Sequence, residues 1–470
     1  MNHNGGERDG LNGLSKMAGS ECRRLRVLLV ANSMHWVSGT FANQLAVCNP
    51  GLDTLICSRF ALRRFMKRFG DLSVPFDIVH FLGQSSTRYF IGYFYKRVPV
   101  VTTIHHVESE ICTEGVHNCD AVMTVSSPWH RHLIEMGIPE SKLVMVPMGV
   151  DTKQFHKPQG DERLAIRAQL GLPPEAFVVG FSGKVTSDTS NRKGIDVFLH
   201  AIKELHKRLP KIATLIIGPG WQEFVESQRK AGIPCVHVPF TIDHHKVADL
   251  YRALDVYWVT SRIEGGPVPL LEAMASGVSC VTTPVGAVLD LIEDQRNGFV
   301  VGFDRPDQFV DLTLRLAKED GLRRQVGDKA RSTIVTRRQW MHTLPKVQDL
   351  YKTGIKNFQI RTNTPSSQKD SNWVRPWGQQ QAMDSSICDM ISPRLSSWMR
   401  ACEYLQGLRM MMELGEWRMA IQMGCRVFST APLHPMLWWQ TVSNLVKGGK
   451  KVWVAKRSRD GVENTKWQAY

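Results

Sequence analysis

Two glutamates, Glu264 and Glu272, stand eight residues apart in the stretch SRIEGGPVPLLEAMASGVSCVTTPVGAVLDLIEDQRNGFVV (261–301). Between them a Gly-Gly-Pro loop leads into the apolar run LLEAMA, which reads as a helix. Gly265 and Gly266 let backbone approach a ligand closely, and the helix that opens at Pro267 and Val268 offers unpaired N–H groups to a diphosphate. Glu272, a turn inside the helix, can accept hydrogen bonds from a ribose diol. Glu264, at a strand end, can reach a sugar. Two glutamates at this spacing also occur by chance, but the glycines, the proline, the helix and the trailing NGF turn argue against coincidence.

Such a loop needs a sheet behind it. Short apolar runs recur at 26–31 (RVLLVA), 121–125 (AVMTV), 177–181 (FVVGF), 213–218 (ATLIIG), 256–259 (VYWV) and 278–282 (VSCVT), with helical or turn segments between them. Strands apolar on both faces, alternating with helices, imply an α/β chain with parallel sheets. A polar break with Pro158 and Gly160 separates two such series. The expected organisation is a flexible segment 1–24, a Rossmann-like doubly wound domain 25–155 and a second one 160–355, facing each other across a cleft. A Ser-, Gln- and Pro-rich linker 357–392 and a helical, Trp-rich basic tail 393–470 follow. Residues 404–447 resemble one to two tetratricopeptide-like hairpins, or form a plain helical appendage.

The motif resembles the E-x7-E element of the retaining glycosyltransferases of family 4 (glycosyl transferases group 1), which adopt the two-domain GT-B fold. VPMGVDTKQF (146–155) resembles that family's PxGVDxxxF segment at the domain junction, and LGLP followed by VVGFSGK (170–184) resembles the start of its donor domain. The resemblance makes Lys184 and Lys193 the cations that meet the leaving diphosphate, because Gly183-Lys184 and Lys193-Gly194 stand where the family has Gly-Arg and Lys-Gly. Arg192 could substitute for either. His105, in VVTTIHH, stands at the family's T-x-H histidine, with His106 as the alternative. Gly39, in SGTF, resembles the amino-terminal glycine loop, although Thr40 takes the place of a second glycine. The family's GGxxE reads GAVLD here, with Ala287 and Asp290, and Phe240 lies where a glycine is expected beside the base.

No metal or other cofactor is expected. No two aspartates are two residues apart, no HExxH occurs, and the ten cysteines include no CxxC pair. The implied reaction moves a sugar from a UDP-, GDP- or ADP-linked donor to an acceptor hydroxyl with retention, in glycolipid or surface polysaccharide synthesis. The alternative is a non-catalytic sugar-nucleotide-binding or scaffold protein acting through its tail, for which a protein partner is then expected.

Composition sets the outer bounds. With 470 residues, 43% hydrophobic and 22% charged, wholesale disorder, a collagen-like fibre and a disulfide scaffold are excluded. The first 25 residues lack the apolar core of a signal peptide, so a cytoplasmic location is expected. The 59 basic and 44 acidic residues give +15, which favours a polyanion: nucleic acid, an anionic membrane or a phosphorylated ligand. No nucleic-acid fold accompanies the basic stretch 446–459, so nucleic acid is not the expected partner. RFALRRFMKRF (59–69) holds five basic and no acidic residues, and as a helix it aligns Leu62, Phe65, Met66 and Phe69. It reads either as an interfacial helix on an anionic membrane, serving a lipid-linked acceptor, or as a core helix with a solvated basic face.

Overall fold

In a computed structural model of the chain, the described residues are 24–34, 37–49, 51–69, 76–108, 115–239, 244–363, 393–413, 417–430, 437 and 440–445. The apolar runs form two parallel six-stranded sheets. The first contains β1 (Leu25–Ala31), β2 (Leu52–Ser58), β3 (Ile78–Phe81), β4 (Val100–Ile104), β5 (Ala121–Thr124) and β6 (Leu143–Met145), in the order β2-β1-β3-β4-β5-β6. The second contains β7 (Phe177–Ser182), β8 (Ile212–Ile217), β9 (Cys235–Val238), β10 (Val256–Val259), β11 (Ser279–Thr282) and β12 (Phe299–Val300), in the order β12-β11-β10-β7-β8-β9. Each order reverses direction once, between β1 and β3 and between β7 and β10. At such switch points the loops leaving the strands splay apart and leave a crevice.

One device sets the strand register three times. Asp77, Asp120 and Asp255 each sit just before an incoming strand and are buried. Their carboxylates accept an amide from the first or second residue of the neighbouring strand, from Arg26 at 2.8 Å, Val100 at 2.9 Å and Val178 at 2.8 Å. Their own amides donate back to the carbonyls of the same three residues. A backbone donor beyond the ladder's end is thereby satisfied without water, and the two strands cannot slip by one residue.

The chain crosses between the halves twice. The crossings run side by side: Val150 bridges to Gln339, and its N–H donates to the Arg338 carbonyl at 2.8 Å. After the second crossing the helix Trp340–Asn363 lies on β3 to β6 of the first sheet. Tyr351 meets the buried His80 there, 3.1 Å from hydroxyl to Nδ1. Arg361 pairs with Asp120 at 2.9 and 3.0 Å and donates to the Tyr95 carbonyl at 2.7 Å. The stretch expected to close the second domain at 355 and to begin the linker at 357 is therefore one helix, held by the first sheet. The rest of that linker, residues 364–392, lies outside the described residues, as do 1–23 of the amino-terminal segment and the basic stretch 446–459.

The basic helix Arg59–Phe69 takes the core reading. Ala61, Leu62 and Phe65 are buried and share a cluster with Ala401, Cys402 and Leu405 of the tail helix Pro393–Glu413. Glu403 accepts the Ser58 amide at 2.6 Å at the start of the basic helix. An apolar stripe covered by the chain's own tail is not available to lipid, which corrects the interfacial reading. Sequence periodicity is identical in the two cases, because it reports which face is apolar and not what covers it. No helix among the described residues is long and apolar enough to cross a membrane.

Arg361 is the cation that allows Asp120 to remain charged where burial pushes its carboxyl up. Arg361→Ala should lower stability by about 3–5 kcal/mol, because it strands a buried carboxylate. Asp120→Asn in the same chain should recover part of the loss. An unchanged midpoint for the single variant in urea would show that the crossing helix is held by other contacts.

Candidate functional site

The two switch points face each other. From the second sheet, the loop after β7 carries Lys184, Arg192 and Lys193, and the segment after β10 carries Glu264. From the first, β1 leads to Asn32 and Ser33, and β4 to His105 and His106. All of these line one cleft of about 580 Å³, with Gly265, Gly266, Pro267, Val268 and Glu272. Gly39 is the expected site residue that does not line it. A Cβ there would lie 2.3 Å from the Met34 carbonyl oxygen, so Gly39 lets the chain fold back against the helix Val37–Val47. Its neighbours Ser38 and Thr40 face the cleft instead.

Glu264 is 8% exposed, and its carboxylate is surrounded by cations. Lys193 Nζ contacts Oε1, Arg192 Nη1 lies 3.2 Å from the same oxygen, and the Ser261 hydroxyl donates to it at 3.3 Å. Burial alone would raise the acid's pKa. Lys193 and Arg192 outweigh it, and Glu264 is held below the usual carboxylate value. The loop that supplies both cations is itself fixed. Gly194 has φ +61°, and the Thr260 hydroxyl lies 2.9 Å from the carbonyl oxygens of both Lys193 and Gly194, donating to them. Arg262 grips Asp196 and Asp304 and donates to the Asn191 carbonyl at 2.8 Å.

Glu272 lies on the cleft floor, partly open to it. Burial pushes its carboxyl up to about 7, against the Tyr251 phenol beside it. His105 is pushed down to about 4 by burial and by the neighbouring His106, so its imidazole is neutral at physiological pH. Pro267 and Pro269 carry no N–H. The loop therefore offers a phosphate the amides of Gly265, Gly266 and Val268, at the start of the helix Val268–Ala275. Among the described residues no group of three His, Cys, Asp or Glu side chains could hold a metal ion.

Three contacts across the cleft were not legible in the motif. Arg192 Nε lies 3.1 Å from Glu108 Oε1, and Glu108 also faces His106 Nε2 at 2.9 Å. The Trp129 indole N–H donates to the Glu264 carbonyl at 2.7 Å. Asp290 accepts the Ser127 amide at 2.8 Å, capping from the other domain a helix whose own Ser126 makes no side-chain cap. Gly265 packs so closely that a Cβ would lie 1.9 Å from the His105 carbonyl oxygen. Its expected close approach is thus to the opposite domain. A Cβ at Gly266 would make only ordinary contacts, with the side chains of Ala287, Val125 and Met148 at 3.6–3.8 Å.

Residues 162–333 match the family described as glycosyl transferases group 1, and residues 42–154 match glycosyltransferase family 4. A D-inositol 3-phosphate glycosyltransferase of Xylanimonas cellulosilytica is 28% identical over 253 residues, 52% of this chain and 59% of that protein. A lipopolysaccharide core biosynthesis mannosyltransferase of Rhizobium meliloti is 29% identical over 205 residues, 42% of this chain and 55% of that protein. The chain thus spans somewhat more than half the length of these two relatives. Among solved structures, Anabaena HepE in complex with UDP-glucose superposes with a TM-score of 0.58 at 17% identity, covering 70% of this chain and 100% of that one. Sucrose-phosphate synthase from Thermosynechococcus elongatus gives 0.56 at 16% identity, covering 70% and 98%. At such identities the likeness is one of fold.

Gly194 tests the loop. A Cβ at this position would lie 2.0 Å from the Thr260 carbonyl oxygen on top of an unfavourable φ. Gly194→Ala should lower stability by about 2 kcal/mol or more. Gly183→Ala has no φ strain, and its Cβ would meet a Phe181 ring atom at 3.2 Å and the Lys193 stem at 3.7–3.8 Å, so it should cost less than about 1 kcal/mol. Equal urea midpoints for the two variants would mean that the loop is not fixed at Gly194.

Proposed function

From membership of the group 1 and family 4 glycosyltransferases, with the GT-B fold, we propose that this chain moves a sugar from a nucleotide-diphosphate donor to an acceptor hydroxyl with retention at the anomeric carbon. The observation that carries the reading is the ionised Glu264 beneath a glycine loop and a helix N-terminus, with Lys184 facing the same cleft. In this reading Glu264 accepts hydrogen bonds from the donor sugar, and Glu272 accepts them from the ribose diol. The bond from the anomeric carbon to the phosphate oxygen breaks as the acceptor oxygen bonds on the same face, and the acceptor proton passes to the departing phosphate. Lys184, Lys193 and the loop amides receive the charge that develops there. Neutral His105 holds a sugar hydroxyl or the acceptor by hydrogen bonding. The donor is a UDP-, GDP- or ADP-sugar, and a glycolipid or surface polysaccharide precursor is the acceptor class.

A screen of nucleotide sugars, beginning with UDP-glucose, identifies the donor by hydrolysis or thermal stabilisation. With that donor, Glu264→Ala should cut turnover by about 100-fold or more. Glu272→Ala should weaken donor binding. Bound ribose hydroxyls favour the ionised Glu272, so donor affinity should rise as pH increases through about 7 and then level off, whereas Glu272→Gln should give a flat profile. Wild-type turnover in the Glu264 and Glu272 variants would refute the assignment. Binding without any transfer would favour a sugar-nucleotide-binding protein.

The proposed chemistry uses lysines and amides in place of a metal. Transfer should therefore persist in EDTA, and loss on chelation that manganese or magnesium restores would contradict this.

A further inference from the structure

The residue at the centre of the cleft is gripped from both sides of the domain boundary. Its own domain neutralises the Glu264 carboxylate through Lys193 and Arg192. The other domain fixes its backbone, because the Trp129 indole N–H donates to the Glu264 carbonyl at 2.7 Å. That domain also orients one of the neutralising cations, because Glu108 Oε1 holds Arg192 Nε at 3.1 Å while Arg192 Nη1 reaches Glu264 at 3.2 Å. A guanidinium is a rigid planar fork, so fixing one nitrogen fixes the direction of the others. The helix carrying Trp129 is in turn capped by Asp290 from the Glu264 side. If the domains part, Glu264 loses its backbone anchor and the alignment of one cation together.

We propose that Trp129 and Glu108 are positioning residues for Glu264, and that they make its reactive placement conditional on contact between the two domains. The functional half of this proposal rests on Glu264 being the sugar-binding carboxylate. The placement itself does not.

The test uses the full chain as wild type, Trp129→Phe, Glu108→Gln and the double variant. Trp129→Phe keeps an aromatic ring and removes only the donor. Glu108→Gln keeps the shape and removes the charge. Hydrogen exchange of peptides covering 261–268 should rise in each single variant and most in the double, while a peptide covering β5 stays unchanged and serves as the internal reference. With the donor found by the nucleotide-sugar screen, each variant should lose about tenfold in kcat with donor KM within about twofold, a split expected when an arrangement needed in the transition state is lost. The two effects should be less than additive, since both act on one residue. Unchanged exchange at 261–268 in both single variants overturns the placement. Raised exchange with unaltered kcat overturns the functional half. If no nucleotide sugar is turned over by the wild type, the transferase reading fails, and exchange alone decides the placement.

Discussion

A carboxylate taken out of water must be kept company by cations or it protonates. Glu264 obeys that constraint, and much of the cleft is arranged around it. Lys193 and Arg192 come from one loop, which reaches Glu264 only because Gly194 turns left-handed over the Thr260 carbonyl. Arg262, two residues before Glu264, pins the same loop through Asp196, Asp304 and the Asn191 carbonyl. Glu108 draws Arg192 into a bridge across the cleft. The cluster formed by Lys193, Arg192, Glu264 and Glu108 therefore carries little net charge. Lys184 lines the same cleft and makes no ion pair with a described residue, so its charge adds to that of Lys193 toward an incoming anion.

What the sequence made legible was local. Glu264, Gly265, Gly266, Pro267, Val268 and Glu272 lie within nine residues, so loop and helix grammar alone could group them. Lys184, Lys193 and His105 were found through the resemblance of their short segments, Gly183-Lys184, Lys193-Gly194 and TTIHH, to those of a known family, and the fold brings all three to the same cleft. Trp129 lies 135 residues from Glu264 along the chain and meets it only through the packing of one domain on the other, and Asp290, in the same stretch as the motif, reaches Ser127 across the same boundary. Nothing in the immediate neighbours of Trp129 marks it. Asp290 looked like a departure from a family pattern, and in the fold it caps a helix of the opposite domain.

Other features were written in the sequence in a form that admits two readings. The basic helix shows an apolar stripe whatever covers it, and here the cover comes from more than 330 residues downstream along the chain. Gly39 resembled a glycine of a ligand-side loop, and in the fold it admits the Met34 carbonyl instead. The register-setting aspartates carried a signal that could have been used. Each stands directly before an apolar run, as in DIV, DAV and DVY, and a buried carboxylate in that place has a backbone amide to satisfy.

The paired crossings of the chain, with Val150 bridged to Gln339, bear on how the halves can move. A single connecting strand would act as a swivel and leave the domains free to twist and shear. Two crossings tied by a backbone hydrogen bond cannot turn independently, so a twist of one is passed to the other. Any opening that parts Trp129 and Glu108 from Glu264 must therefore carry both crossings with it.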